Sequence, residues 1–324
     1  MRRSLPRSAK RHQPKSVNET PTTRAAGRAA QTRTSLVVNA DDYGLTAGVN
    51  RAIEEAHLAG FVTSTTVIVA GEMAGEVSEL HRTCEAISIG LHVNLTLGRP
   101  TTDPSRVPTL VGSDGRFHSR ASLAKLLLRR QVASQDISLE AAAQIEALDR
   151  LGVTPTHWDT HQHVAELPPI ARAIGAAARS AGILRARTPR VWIVNGSDGP
   201  FVARWRWRTA HPRRVAGDAS RAIARNVVSR DFLTPDFRAA ANLVVAPEAT
   251  YAERWEILLS NLPAGTCEIT THPGHVDDRL RELTPRLTTE RTTDLEVAMS
   301  ARTKVSLRDA RVILIPFAQV GSRA

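Results

Sequence analysis

The chain has 324 residues, a formal net charge of +11 and an apolar fraction of 42%, which is enough for a folded core and excludes global disorder. No apolar run reaches the ~20 residues that cross a bilayer, and no apolar stretch follows the basic N-terminal residues, so we expect a cytoplasmic protein without a membrane span or secretory signal. Cys84 and Cys267 are the only cysteines, which excludes a disulfide framework and a cysteine-rich zinc module.

The positive charge is concentrated in two segments. Residues 1–34 hold nine Lys or Arg and one acid, and residues 201–230 hold eight Arg and one acid. The first segment has no hydrophobic period, which predicts a disordered basic extension. The second is interpreted as part of a basic insertion around residues 196–240, within a single domain that spans residues 35–320. Neither segment contains a nucleic-acid-binding motif, so nucleic acid is not expected as a partner.

From residue 35 onward, short apolar runs alternate with amphipathic stretches. The predicted strands are residues 35–40, 62–70, 86–97, 156–161, 183–187, 267–271 and 311–317. The predicted helices are residues 47–59, 72–84, 122–131, 138–151, 168–181, 251–262 and 287–301. This alternation predicts a parallel α/β fold. On the pattern alone, either a (β/α) barrel or an open doubly wound sheet satisfies it.

Polar residues stand at the carboxyl ends of four predicted strands. They are Asp41, Asp42, His92, Asp159, His161, His163 and His272. Both α/β architectures place their active sites at this edge of the sheet. Carboxylates with imidazoles form a suitable ligand set for Zn²⁺ or another divalent ion. If the chain stays extended after the fourth strand, the imidazoles of His161 and His163 point to the same side.

Other common site types are absent from the sequence. No Gly-x-Gly-x-x-Gly and no Gly-Lys-Ser/Thr phosphate loop is present, which disfavours a nucleotide cofactor. No Gly-x-Ser-x-Gly elbow is present, which removes the commonest serine-hydrolase interpretation. The residues therefore favour a divalent-metal site at this edge of the sheet.

Five motifs occur in a recognisable order. They are VNADDYGL at 38–45, VTSTT at 62–66, GLHVNLT at 90–96, PTHWDTHQHV at 155–164 and HPG at 272–274. Together they resemble the YdjC-like (ChbG/HpnK) carbohydrate deacetylase family. The resemblance implies a TIM-barrel-like (β/α) barrel related to polysaccharide deacetylases. It also implies a hydrolase acting on linear amide C–N bonds, which removes the acetyl group from an N-acetylated sugar and gives acetate and a free amino sugar.

The resemblance also implies roles for individual residues. Asp41 would be the general base and His272 the general acid. One divalent metal ion, Mg²⁺ or Zn²⁺, would be bound by Asp42, His92 and His161. Four further residues are expected around the metal or the substrate: Asp159, His163, Arg185 and Arg187. Of these, Asp159 is expected to hydrogen-bond a ligand imidazole, and Arg185 or Arg187 to contact the substrate or Asp41.

Two alternatives remain open at this stage. The same metal ligands would serve another amidase or a phosphoesterase on the same barrel. The basic segments would instead serve a nucleic-acid-binding protein, which would not need His92 or His161. The expected partners are an acetylated sugar and, from the resemblance, a second copy of the chain. Ala165 and His275 depart from the family pattern, which often has His and Tyr there, and we expect the departures to alter the substrate pocket.

Overall fold

The structure is a computed structural model that describes residues 34–195, 212–285 and 287–322. The predicted extension, except Thr34, and residues 196–211 of the predicted basic insertion lie outside the described residues. Within the described part, no helix is long and apolar enough to cross a membrane.

The described residues form nine short strands. They are β1 (Thr34–Tyr43), β2 (Ser64–Val67), β3 (Ser88–Val93), β4 (Trp158–Thr160), β5 (Val194–Asn195), β6 (Phe237–Ala239), β7 (Val244–Val245), β8 (Gly265–Thr271) and β9 (Ile313–Leu314). Six of the seven predicted strands correspond to members of this set. The sequence analysis missed β5, β6 and β7, because two or three residues are too short to show a period.

Ten helices accompany the strands in the described residues. They are α1 (Ala47–Leu58), α2 (Val77–Thr83), α3 (Arg120–Leu128), α4 (Ser134–Arg150), α5 (Pro168–Ser180), α6 (Pro212–Asp231), α7 (Tyr251–Ser260), α8 (Asp278–Leu283), α9 (Thr288–Met299) and α10 (Ala301–Asp309). The single helix predicted over 287–301 ends at Met299. Ser300 then caps α10 by accepting a hydrogen bond from Arg302 N.

The main sheet is parallel, with the order β4-β3-β2-β1-β8-β6. β9 pairs with the first half of β1, at Ser35 and Leu36. β1 lies at the centre and is buried from Leu36 to its end, which explains its near-continuous apolar run.

The segment after α5 closes this sheet into a barrel. On one side, Trp158 N donates to Arg185 O at 3.2 Å. On the other side, Ala186 N donates to Leu233 O at 3.1 Å, and Val191 pairs with β6. The ring from β1 through β4, this segment, β6 and β8 back to β1 is therefore complete. The predicted (β/α) barrel is confirmed, and the open doubly wound sheet is excluded.

The fifth predicted strand, residues 183–187, requires a correction. It lies at the expected place in the barrel, but its pairing consists of isolated bridges at Arg185 and Ala186. It is not a regular strand, because its pairing with Leu233 on one side and with Trp158 on the other is a single isolated bridge in each case and is not extended into a ladder.

The carboxyl-terminal segment fills the amino-terminal end of the barrel. Ser64 and Ser88 are the first residues of β2 and β3, and their hydroxyls accept from Phe317 N at 2.8 Å and Ala318 N at 2.9 Å. The Phe317 ring stacks on the His157 ring, with centroids 3.8 Å apart. Within the described residues, these contacts close the barrel at its base.

Candidate active site

The three predicted metal ligands come together at the carboxyl ends of the strands. Asp42 lies at the end of β1, His92 lies in β3, and His161 follows β4 directly. His92 Nε2 is 3.4 Å and His161 Nδ1 is 3.3 Å from Asp42 Oδ1. All three side chains are buried, and one potential ligand atom from each lies within 4.8 Å of the others. Residues 119 positions apart in the sequence therefore form one cluster.

A backbone irregularity at the end of β1 accompanies Asp42. The pairing of β1 with β2 shifts register between Ala40 and Tyr43. Asp42 itself has a φ of 74°, in the left-handed region that a non-glycine residue adopts at a cost in free energy. Both acids of the Asp41-Asp42 pair are buried there. Asp41 and Asp42 contact different partners as a result.

The cluster fits a divalent metal ion. Asp42 Oδ1 is buried and has no hydrogen-bond partner among the described residues, although two imidazole nitrogens face it. An unsatisfied anionic oxygen beside two imidazole nitrogens is the donor set that Zn²⁺ and similar ions take. Asp42, His92 and His161 would therefore hold the ion.

Asp159 orients one of these imidazoles. Its Oδ1 accepts a hydrogen bond from His92 Nδ1 at 2.6 Å, which directs Nε2 of that ring towards Asp42. Burial alone would lower the pKa of His92, but Asp159 and Asp42 beside it raise the pKa to about 10. Thr66 Oγ1 donates to the other Asp159 oxygen at 3.2 Å. The ring is therefore fixed before any ion binds.

Arg187 contacts three buried carboxylates. Its Nη2 and Nη1 donate to the two oxygens of Asp41 at 2.7 and 2.8 Å. The same guanidinium contacts Asp159 Oδ2 and Glu268 Oε1, each at 2.6 Å. Burial raises the pKa of Asp41, but the Arg187 charge outweighs it and holds that pKa far below its ordinary value. Asp41 is therefore ionised and held in one orientation.

Glu268 is a site residue that the sequence analysis missed. It is fully buried in β8, and burial together with the nearby Asp159 and Asp41 raises its pKa to about 7 in spite of Arg187. Its position was detectable, because Glu268 and His272 lie an even number of residues apart and therefore share one face of a strand.

His272 lies at the mouth of the site. Its Nε2 is 3.8 Å from Asp41 Oδ2, and its side chain is 24% exposed, so it is accessible to a substrate. Its backbone N donates to Asp294 Oδ2 at 2.7 Å. Asp294, which is buried in α9, also accepts from Trp255 Nε1 and Thr271 Oγ1. This carboxylate was also missed by the sequence analysis.

Arg291 is the third missed residue. It is fully buried, and its Nη2 lies 2.5 Å from Asp42 Oδ2. It therefore occupies the oxygen of Asp42 that does not face the imidazoles. Arg291 and Asp294 are three residues apart on α9 and so share one helix face. In the sequence, two charged residues on a helix face that also carries the apolar Ala298 would have been the signal that this face points towards a site.

The two remaining predicted residues, His163 and Arg185, lie outside the ligand cluster. The chain after His161 is not extended, since Gln162 and His163 have φ values of 52° and 53°. His163 Nε2 instead lies 2.9 Å from Arg238 Nη1. Burial and the Arg238 charge hold the pKa of His163 well below its ordinary value. Arg185 Nε donates to Val320 O at 2.9 Å at the base of the barrel, so Asp41 is contacted by Arg187 instead.

Comparison with known proteins identifies the family. The sequence profile of the family described as YdjC-like protein matches residues 35–309. A chitooligosaccharide deacetylase from Salmonella schwarzengrund is 32% identical over 280 residues, which cover 85% of this chain and 94% of that protein. The chain belongs to the YdjC-like family. A carbohydrate deacetylase from Halalkalibacterium halodurans is 37% identical over 146 residues, which cover 44% of this chain and 60% of that protein.

One solved structure supports the YdjC-like fold. A protein of Enterococcus faecalis, described as a candidate for cellobiose-phosphate cleavage, superposes with a TM-score of 0.67 at 23% identity, over 88% of this chain and 98% of that chain. At this level of identity, the likeness concerns the fold alone. The family predicted from the five motifs is confirmed.

Proposed function

We propose that this YdjC-like chain is a metal-dependent carbohydrate deacetylase. It hydrolyses the acetamide of an N-acetylated sugar, which gives acetate and a free amino sugar. The observation that carries the proposal is the buried Asp42–His92–His161 cluster, with Asp41 and His272 beside it. The family supports the same chemistry, since relatives named as chitooligosaccharide and carbohydrate deacetylases belong to the same sequence group.

The bound ion would supply Lewis-acid chemistry, in which it polarises the amide carbonyl and lowers the pKa of a water molecule. Two imidazoles with one carboxylate suit Zn²⁺ better than Mg²⁺, because Mg²⁺ prefers oxygen ligands. We therefore propose Zn²⁺ as the better of the two candidate ions.

Asp41 accepts the proton of the attacking water. Arg187 holds both of its oxygens and keeps it ionised at every physiological pH. The same contact makes Asp41 a weak base, which suits a water whose pKa is already lowered. Arg187 thus lowers the basicity of Asp41 and fixes its orientation.

His272 donates a proton to the departing amine. An amine leaves poorly unless it is protonated, so amide hydrolysis needs an acid on the leaving-group side. His272 is the partly exposed imidazole of the site, and Asp294 fixes its backbone. Its Nε2 lies 3.8 Å from Asp41 Oδ2, which supports an acid and a base that act on the same reacting group.

The test is acetate release from di- and tri-N-acetylchitooligosaccharides. We expect the wild-type chain to release acetate and Asp41→Asn to release it at least a hundredfold more slowly, in line with the usual contribution of a general base. Asp149→Asn removes an exposed carboxylate from α4 and should leave the rate unchanged. Absence of acetate from both oligomers with the wild-type, metal-loaded chain would refute the proposal.

A further inference from the structure

A small cavity adjoins the candidate active site, outside the ligand cluster. Its volume is about 20 Å³, enough for one water molecule or one hydroxyl group. The lining residues that matter are Trp158, Asp159, His163, Glu166, Arg187 and Arg238. Asp159 and Arg187 are also in contact with His92 and Asp41, so the cavity is directly beside the reacting centre.

Two of the residues that line the cavity, His163 and Trp158, each carry a buried donor without a partner among the described residues. Arg238 Nη1 donates to His163 Nε2 at 2.9 Å, and because a guanidinium cannot accept, the proton of the neutral ring is on Nδ1. That Nδ1 is buried and has no partner among the described residues, and the same is true of Trp158 Nε1. Buried donors are normally satisfied, so these two indicate an acceptor that the described residues do not supply.

The backbone that presents His163 is strained. Gln162 and His163 are consecutive non-glycine residues in the left-handed region. Thr160 Oγ1 accepts a hydrogen bond from Ala165 N at 3.0 Å and closes the turn. Such strain persists where the surroundings impose it, and it concentrates at functional sites. Here it turns His163 away from the metal ligands and into the cavity wall.

The wall also contains an acceptor. Glu166 Oε1 accepts from Arg238 Nη2 at 2.9 Å, and its Oε2 lies 3.3 Å from Arg221 Nη1. A carboxylate oxygen retains acceptor capacity after one such bond. A group that both accepts and donates, such as a sugar hydroxyl, therefore fits this wall better than acetate, which only accepts.

We propose that this cavity binds a hydroxyl of the N-acetylated sugar, with His163 Nδ1 donating to the hydroxyl oxygen and Glu166 accepting its proton. The inference rests on the proposed deacetylase function and extends it to the recognition of the sugar ring. His163 is then a residue that determines specificity, with no part in binding the metal.

The test combines variants of His163 with deoxy substrates. His163→Ala should lower kcat/KM on di-N-acetylchitobiose about tenfold, mostly through KM, as expected for one hydrogen bond to a neutral group. Its affinity for Zn²⁺, measured by chelator competition, should stay within twofold of the wild type. His163→Gln, which restores an N–H donor, should recover part of the loss. His81→Ala, which removes an exposed imidazole from α2, is the matched control and should behave as wild type.

Deoxy analogues of the disaccharide identify the group bound. With the wild type, removing the bound ring hydroxyl should cost more than tenfold in kcat/KM, because the contacts with His163 and Glu166 are both lost. With His163→Ala the same removal should cost clearly less, because only the contact with Glu166 is left to lose. If every deoxy analogue lost the same factor in kcat/KM with His163→Ala as with the wild type, the proposal would be overturned. A large loss of Zn²⁺ affinity in His163→Ala would also overturn it. If His163→Ala changed only the inhibition by acetate, the cavity would be assigned to acetate, and the proposal would be overturned as well. A wild type that releases no acetate refutes the deacetylase proposal itself, and this inference with it.

Discussion

At the scale of single residues, Arg187 holds the largest group of buried charges together. One guanidinium contacts Asp41, Asp159 and Glu268, all of them buried. Removing one partner of a buried ion pair strands the other charges in a medium of low polarity. The stability of the site therefore depends on this side chain more than on any surface ion pair.

Arg187→Met should lower the free energy of unfolding by roughly 3–5 kcal/mol, the cost of breaking a buried pair. The matched control is Arg179→Met, which breaks the pair with Asp231 at 2.6 Å on the partly exposed surface and should cost at most about 1 kcal/mol. Urea denaturation of both variants measures the difference. Equal losses would show that the buried carboxylates do not depend on Arg187.

Glu268 predicts a pH dependence of stability. Its pKa is raised from 4.5 to about 7 in the folded chain, so the folded state binds a proton that the unfolded state releases between these values. The contribution is complete below about pH 4.5 and is lost as the pH rises through about 7. Relative to Glu268→Gln, the wild type should lose up to about 3 kcal/mol between pH 4.5 and 8. Urea denaturation of both metal-free proteins at the two pH values measures this loss; a constant difference would contradict it.

The sequence predicts the site residues unevenly, for a physical reason. Asp42, His92 and His161 follow strands whose apolar runs are visible, and parallel strands end at one edge. Arg291 could not be assigned a role in this way, because its contact with Asp42 spans 249 positions and depends on how α9 docks. The imidazoles of His161 and His163 were expected to point to the same side only if the chain stayed extended, and the left-handed turn at Gln162 and His163 prevents this.

At the scale of elements, α9 connects the ligand cluster to His272, the proposed general acid. One of its faces carries Arg291, which contacts Asp42, and Asp294, which fixes Thr271 and His272 at the end of β8. The helix therefore positions both sides of the reacting centre.

Asp294→Ala should lower the free energy of unfolding by roughly 2–4 kcal/mol, since it leaves several buried donors without an acceptor. It should also lower kcat for acetate release about tenfold or more, because the backbone of His272 is freed. Glu296→Ala, an exposed acid on the same helix, is the control and should change neither quantity. Thermal unfolding and the acetate assay measure the two effects. A stability loss without any loss of kcat would show that Asp294 does not position His272.

Elements with a clear hydrophobic pattern were predicted, most of them within a few residues, whereas very short or strongly basic elements were missed. β1 and β8 are buried on both faces, so their pattern is strong. α6 was interpreted as part of a basic insertion, because its many arginines hide the few apolar positions, such as Ala224 and Val228, that pack inward.

At the scale of the whole molecule, the barrel is held by its closing segment and its base. The alternation of strands and helices predicted the barrel and placed a strand at residues 183–187, where the structure has isolated bridges in place of a regular strand. The base depends on Phe317, which is fully buried and stacks on His157. The contacts of this ring join the end of the chain to its first half.

Phe317→Ala should lower the free energy of unfolding by about 3–5 kcal/mol, the usual cost of removing a buried aromatic ring. Ile313→Ala, at a position 43% exposed in the same carboxyl-terminal segment, should cost about 1 kcal/mol or less. Urea denaturation distinguishes them. If both variants lost a similar, small free energy of unfolding, the barrel would not depend on the Phe317 ring at its base.

The most direct test of the account is a titration of the metal-free chain with Zn²⁺, with acetate release from di-N-acetylchitobiose as the readout. We predict no release without the ion and a rate that rises until one equivalent is bound per chain, as a single Asp42–His92–His161 centre requires. Full activity in the metal-free chain, or an unchanged titration in His92→Ala, would contradict it.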